Sequence, residues 1–270
     1  DYIGVDLDDG GMRMDHLREV LGSLKEQGRQ AKYIYTIPTI QNPTGTIMNR
    51  ERRLEMLEIA AEFNVPIFED DCYSDLIWDQ QRPPAIYALD TDNRVIYCGT
   101  FSKTVAPALR VGYLVAHWDV MKHVLPLKTD AGSGALEQMV LAEFLPKHFD
   151  AHVDALMPML KEKSEAIVDA LAENFGSAAE FTVPVGGIYI WVTLPENVDS
   201  QKLAAAAAAE GIAINPGPEW TVYGDQNKHR MRLCFGHPTI ENIREGVAKL
   251  ADVCHQEFGV PLRRGNIERA

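Results

Sequence analysis

A chain of 270 residues, 46% hydrophobic and 24% charged, is long enough for a large apolar core and for two domains. Its formal net charge of -13 argues against nucleic acid or an anionic membrane as the main partner, because both are held by a positive field. No stretch reaches the apolar length of a membrane span, and the four cysteines (Cys72, Cys98, Cys234 and Cys254) form no C-x-x-C pair, so they read as reduced thiols of a cytoplasmic protein.

The chain opens on Asp1 rather than methionine, within an expected strand from Tyr2 to Leu7, and reads as a fragment that begins elsewhere. Asp8-Asp9-Gly10-Gly11 is a turn; the acidic run has no glutamate at calcium-loop spacing. A helix is expected over residues 15–27, then a β-rich run, Tyr33 to Ile37, stopped by Pro38. Leu54, Leu57 and Ala61 mark a helix over 50–63, and its arginines Arg50, Arg52 and Arg53 are expected on a solvated face. Short apolar runs follow: Val65 to Phe68 ending in Glu69-Asp70-Asp71, Val95 to Cys98, and Val111 to Ala116. Such strands alternating with helices predict a mostly parallel sheet with helices on both faces. Ligands then sit at the carboxyl ends of the strands, which places Asn42, Asp70 and the Gly99–Lys103 turn on one rim.

Residues 117–175 read as helical, with an interruption at Pro146 or Pro158. A smaller α+β region follows: a strand from Tyr189 to Leu194, an Ala-rich helix over 199–210, a strand over 229–235, and a closing helix over 239–258 capped by Thr239. The domain boundary is expected near residue 150, giving 1–150 and 151–270.

The chemistry gathers in three short segments. Lys103 ends Thr100-Phe101-Ser102-Lys103, after a strand and Gly99; an amine flanked by hydroxyls suits Schiff-base or phosphate chemistry. Asp70 and Asp71 precede Cys72 and Tyr73; a carboxylate buried there needs a cationic partner, such as a protonated pyridine nitrogen. Gln41-Asn42-Pro43-Thr44-Gly45 is either a plain turn or a loop that aims an amide at a ring oxygen. His148 and His152 have metal-compatible spacing but no third ligand, and the cysteines, Cys72 included, read as packing residues.

Taken together, N-P-T-G, D-x-x-Y, S-K followed seven residues later by Arg110, and a late R-x-x-F resemble the fold-type I pyridoxal-phosphate aminotransferases, in the branch of aminoadipate and kynurenine aminotransferases and MocR-like regulators. The resemblance covers essentially the whole chain. It implies an amino acid: 2-oxo acid aminotransferase that uses pyridoxal 5'-phosphate, assembled as a homodimer with small-molecule substrates. By that resemblance Lys103 holds the cofactor as a Schiff base and shuttles the proton. Asp70, three residues before Tyr73, faces the pyridine nitrogen, with Asp71 the weaker choice. Tyr73 and Asn42 bond the ring oxygen, and Thr100, Ser102 and Arg110 bind the phosphate; the branch often has serine where Thr100 stands. Arg232 clamps the substrate α-carboxylate, with Arg230 as second choice, and Gly186-Gly187 matches paired glycines before a small-domain strand. The family's phosphate loop and ring-stacking aromatic residue are expected to precede Asp1, and without them cofactor binding should be weak. Two alternatives stand beside this reading: an effector-binding domain of a MocR-type transcription regulator, and another reaction, lyase or decarboxylase, on the same scaffold.

Overall fold

The computed structural model describes residues 1–130, 132–224 and 226–262. They divide into two compact units.

One unit comprises Val5–Asn42 and Thr46–Ala155. It opens with a short hairpin, β1 (Leu7–Asp8) and β2 (Gly11–Met12), not with the expected strand from Tyr2 to Leu7. The reason is local. Asp8 Oδ1 accepts from Gly10 N at 2.7 Å, closing the turn, and Arg52 grips the same carboxylate. Helix α1 (Met14–Glu26) buries Met14, Leu17, Leu21 and Leu24, the stripe of a 3.6-residue period.

The main sheet has the order β3-β4-β5-β6, built from β3 (Ile34–Thr36), β4 (Ile67–Asp71), β5 (Val95–Thr100) and β6 (Gly112–Val115). The first three strands are parallel and β6 is antiparallel to β5. Helices α2 (Arg50–Glu62) and α3 (Ile86–Leu89) connect the strands, and one core joins α1, α2 and α3 to Ile34, Ile67 and Val95. On the opposite face Tyr35, Phe68, Ile96 and Cys98 remain partly or largely exposed.

The buried stripe of α2 is Arg53, Met56, Ile59 and Ala60, with Leu54, Leu57 and Ala61 only half-buried. Arg53 is therefore not on a solvated face. It is fully buried and donates to Met48 O at 2.8 Å, Thr39 Oγ1 at 2.9 Å, Pro38 O at 3.0 Å and Pro84 O at 3.2 Å. Its guanidinium lies 3.9 Å from the equally buried Glu69, whose two oxygens accept from Ile86 N and Tyr87 N at 2.8 Å each. Burial pushes the Glu69 carboxyl up from its usual range, against the pull of those two N–H donors and of Arg53.

After β6 come α4 (Trp118–Val124), a short 3₁₀ turn Leu125–Leu127, and the long helix α5 (Ala135–Asn174). The expected interruption does not occur: α5 runs through both Pro146 and Pro158. Each proline frees the carbonyl four residues earlier. Those carbonyls belong to Ala142 and Asp154, both exposed, so water can satisfy them.

The other unit comprises Asp1–Gly4, Pro43–Gly45 and the chain from Leu156 onward. Its sheet is antiparallel throughout, in the order β7-β8-β10-β9, with β7 (Glu180–Phe181), β8 (Tyr189–Thr193), β9 (Asn215–Pro216) and β10 (Arg230–Cys234). Helix α6 (Ser200–Ala209) is capped by Asp199, which accepts from Gln201 N and Lys202 N. Helix α7 (Ile240–Phe258) starts on the expected cap, Thr239 Oγ1 accepting from Asn242 N at 3.2 Å, and ends on Gly259 at φ 70°.

Arg53→Ala leaves Glu69 as a buried carboxylate without its cation, and is expected to cost about 3–5 kcal/mol of stability. Urea denaturation monitored by far-ultraviolet circular dichroism measures it; a loss below about 1 kcal/mol would show that the pair carries no structural weight.

Candidate active site

Because β3, β4 and β5 are parallel neighbours, their carboxyl ends share one rim. Asn42 lies half-buried in the loop after β3, where Gln41 N donates to Thr46 O at 2.9 Å and Gln41 Nε2 donates to Asn42 O at 2.8 Å. Asp70 and Asp71 close β4 and are part of the strand itself, not of a loop after it. Thr100 ends β5, and Ser102 and the half-buried Lys103 follow in a turn held by Val105 N and Ala106 N, both donating to Phe101 O.

Strand alternation sends the two aspartates to opposite faces. Asp70, level with Cys98 of β5, accepts from Tyr35 Oη at 2.6 Å on Oδ2 and from Cys72 Sγ at 2.8 Å on Oδ1. Asp71 is buried and accepts on Oδ2 from Tyr97 Oη at 2.7 Å and from Arg82 at 3.0 Å. Burial, and then the hydrogen bond to Asp70, push the Tyr35 phenol and the Cys72 thiol well above their usual ranges. The positive charge of Lys103 acts on that thiol in the opposite direction.

Tyr73, just beyond β4, is buried, and its carbonyl accepts from Leu76 N at 2.8 Å. Thr100 Oγ1 lies 2.9 Å from Ser102 Oγ and accepts from Ser102 N at 3.1 Å, so the structure brings these two hydroxyls together. Arg110 is exposed and left-handed at φ 52°; its guanidinium bonds Pro107 O of its own turn at 3.2 Å.

Arg232 sits on β10, opposite Trp191 of β8. Its guanidinium lies 4.2 Å from the Trp220 ring centroid and 5.3 Å from that of Tyr189, and Nη2 donates to Asn215 Oδ1 at 2.9 Å. Stacking on two rings and an amide acceptor hold this planar cation in place. Arg230 is on the same strand face, two residues earlier.

Sequence reasoning missed Tyr35, Arg82 and Tyr97, and took Cys72 for a packing residue although its thiol is a donor to Asp70. The alternation of Tyr33-Ile34-Tyr35-Thr36 shows which side Tyr35 takes, but not that β3 pairs with β4. His152 does not stand with His148 as a ligand pair: its Nε2 contacts Thr104 O at 2.8 Å, while both rings pack on Phe144. Among the described residues no group of three metal-ligating side chains occurs, and no helix is long and apolar enough to cross a membrane.

Residues 4–250 match the family described as aminotransferase class I and II. Aromatic-amino-acid aminotransferase 1 of Thermococcus litoralis is 35% identical over 261 residues, which are 96% of this chain and 62% of that protein. An uncharacterized HTH-type transcriptional regulator of Bacillus subtilis, YisV, is 32% identical over 94% of this chain and 51% of its own length. The crystal structure of Pyrococcus horikoshii kynurenine aminotransferase, in complex with PMP, superposes with a TM-score of 0.89 at 36% identity, covering 95% of this chain and 64% of that one. The chain thus spans between about half and two thirds of the length of these relatives.

Alkylation should read the thiol environments directly. Cys234 is exposed, whereas burial pushes Cys254 up to about 12 and raises Cys72 as well. With iodoacetamide near neutral pH, peptide mapping is expected to find Cys234 modified first and Cys72 and Cys254 at least about tenfold slower. Equal rates at Cys72 and Cys234 would contradict the thiol–Asp70 contact.

Proposed function

Because the chain belongs to the class I and II aminotransferase family, we propose that it exchanges amino groups between an amino acid and a 2-oxo acid with pyridoxal 5'-phosphate as cofactor. The observation that supports this best is that Asp70 stands at the carboxyl end of β4 and Lys103 follows the carboxyl end of its parallel neighbour β5.

The donor set fits the cofactor. An anionic oxygen pair suits a protonated ring nitrogen, a primary amine suits an aldehyde, and two adjacent hydroxyls suit a phosphate. On this reading Asp70 holds the ring nitrogen's proton and Lys103 Nζ holds the cofactor covalently. Tyr73 and Asn42 would bond the ring oxygen, and Thr100, Ser102 and Arg110 would take the phosphate. When bound, the cofactor supplies an electron sink for the electron pair left as the α-proton departs. Lys103 Nζ would accept and move that proton. Arg232 clamps the α-carboxylate with its planar fork, Arg230 being the alternative. On this reading the unit of Val5–Asn42 and Thr46–Ala155 is part of the cofactor domain, and the chain from Leu156 onward belongs to the small domain.

We further read the protein as a cytoplasmic homodimer. Four free cysteines fit a reducing compartment, and apolar side chains left exposed on and beside α5, among them Leu127, Leu136 and Met139, fit a partner surface. The similarity to YisV favours a second reading, an effector-sensing domain that uses the same lysine without turnover. Steady-state transamination of free amino acids separates the two.

Borohydride reduction in the presence of pyridoxal phosphate should place the label on Lys103; a label on another lysine overturns the assignment. Lys103→Ala should lower transamination by about 10²–10⁴-fold, the usual contribution of a positioned acid–base group. Light scattering should give twice the chain mass, and a monomer that unfolds cooperatively would contradict the dimer.

A further inference from the structure

We propose that Tyr35 and Cys72 are positioning residues that hold the Asp70 carboxylate from both sides, fixing the plane it presents to the cofactor's ring nitrogen. The proposal rests on the reading of Asp70 given above.

The geometry is specific. Tyr35 of β3 is in register with Phe68 of β4, and its ring stacks on Phe68 with centroids 6.1 Å apart and planes at 27°. The stacked ring leaves only the phenol oxygen free to reach along the strand, and it meets Asp70 Oδ2 at 2.6 Å. Cys72, two residues past Asp70, brings its thiol to Oδ1 at 2.8 Å. One donor on each oxygen opposes rotation of the carboxylate. Each oxygen keeps lone pairs, so a third donor can still be accepted.

The two donors are also protected as donors. A tyrosinate or thiolate beside Asp70 would repel it, and burial together with the Asp70 charge keeps both groups protonated far above neutral pH. At half-buried positions such charge-assisted bonds are stronger than in water. Asp71 offers the contrast. Its donors, Tyr97 and Arg82, include a full positive charge, and its buried Oδ1 has no hydrogen-bond partner among the described residues. Among the described residues the hydrogen-bond donors to Asp70 are neutral, which leaves its negative charge available to a cationic ring.

The test compares the binding of pyridoxal phosphate with that of its carbocyclic analogue, in which C–H replaces the ring nitrogen. The unmodified chain should prefer pyridoxal phosphate, and Asp70→Asn should abolish the preference. Tyr35→Phe keeps the stacked ring and should reduce the preference by about tenfold, the worth of one charge-assisted hydrogen bond. Cys72→Ala should reduce it less, and Cys72→Ser, which retains a donor, should restore it. A purely structural role would weaken both ligands equally and leave their ratio unchanged. If Asp70→Asn collapses the ratio and Tyr35→Phe does not, the positioning role is wrong and the reading of Asp70 stands. If Asp70→Asn keeps the ratio, the reading of Asp70 fails and takes this proposal with it. A cofactor-free measurement checks the contact itself. In an ultraviolet titration of the nine tyrosines, Asp70→Asn should bring one ionisation to lower pH, and Tyr35→Phe in that background should remove it. No such shift would overturn the contact.

Discussion

Glu69 is a carboxylate placed in the middle of a sheet core, and much of the cofactor-side unit is arranged around making that tolerable. Removing such a group from water costs several kcal/mol unless partners restore what hydration supplied. Two backbone N–H groups of α3 and the Arg53 guanidinium do so. Arg53 in turn needs acceptors, and it finds them in the carbonyls of Pro38, Met48 and Pro84 and the Thr39 hydroxyl. One ion pair thereby ties together the centre of β4, the start of α3, the first turn of α2 and both flanks of the loop that carries Asn42. The flanks of the Asn42 loop are thus held by a buried charge as well as by the buried side chains of Ile40 and Met48.

The same strand separates structural from chemical roles by alternation alone. Ile67, Glu69 and Asp71 face the helices, while Phe68 and Asp70 face the open side. Asp71 is absorbed by Arg82 and Tyr97 and helps to fasten β4 to β5. Asp70 accepts from two neutral donors, Tyr35 and Cys72. A one-residue slip in the β3–β4 register would place Tyr35 on the wrong face and remove its contact with Asp70. Pairing along the whole sheet is thus a condition for the local geometry of a single carboxylate.

Much of this fold could be read from the sequence wherever a signal is local. The α1 and α7 stripes, the Thr239 cap and the apolar runs of β3 to β6 are properties of a few consecutive residues, and the structure repeats them within a residue or two, except that β4 runs three residues past its apolar run, to Asp71. The motif order was likewise enough to point to the family and to the rim that gathers Asn42, Asp70 and Lys103. What could not be read was set by partners distant in sequence. Arg53 looks solvated beside Arg50 and Arg52, until Glu69 and three loop carbonyls enter from elsewhere. Tyr2 to Leu7 has the composition of a strand, but the structure pairs its end, Leu7, with Met12 across a short hairpin and builds no strand from Tyr2 to Asp6. Pro146 and Pro158 look like breaks, yet the carbonyls they free fall at exposed positions. Cys72 became a donor only because β4 continues through Asp71 and leaves the thiol beside Asp70.

Backbone strain at the site has the same origin. Ile40 is β-branched, fully buried and left-handed at φ 55°, a conformation that costs about 1–3 kcal/mol for such a residue. It persists because its surroundings over-determine it. Thr39 pairs with Ile47, Met48 N donates to Pro38 O at 2.8 Å, and Arg53 takes the Pro38 and Met48 carbonyls with the Thr39 hydroxyl. With both sides of the loop pinned, the two residues between Ile40 and Pro43 have one path, and that path sets where Asn42 leaves the chain. The cost at Ile40 is met by bonds that Arg53 must make anyway to satisfy its own buried donors. The strained residue and the buried ion pair are therefore two parts of one device, which converts a charge in the core into a fixed position for a side chain on the rim.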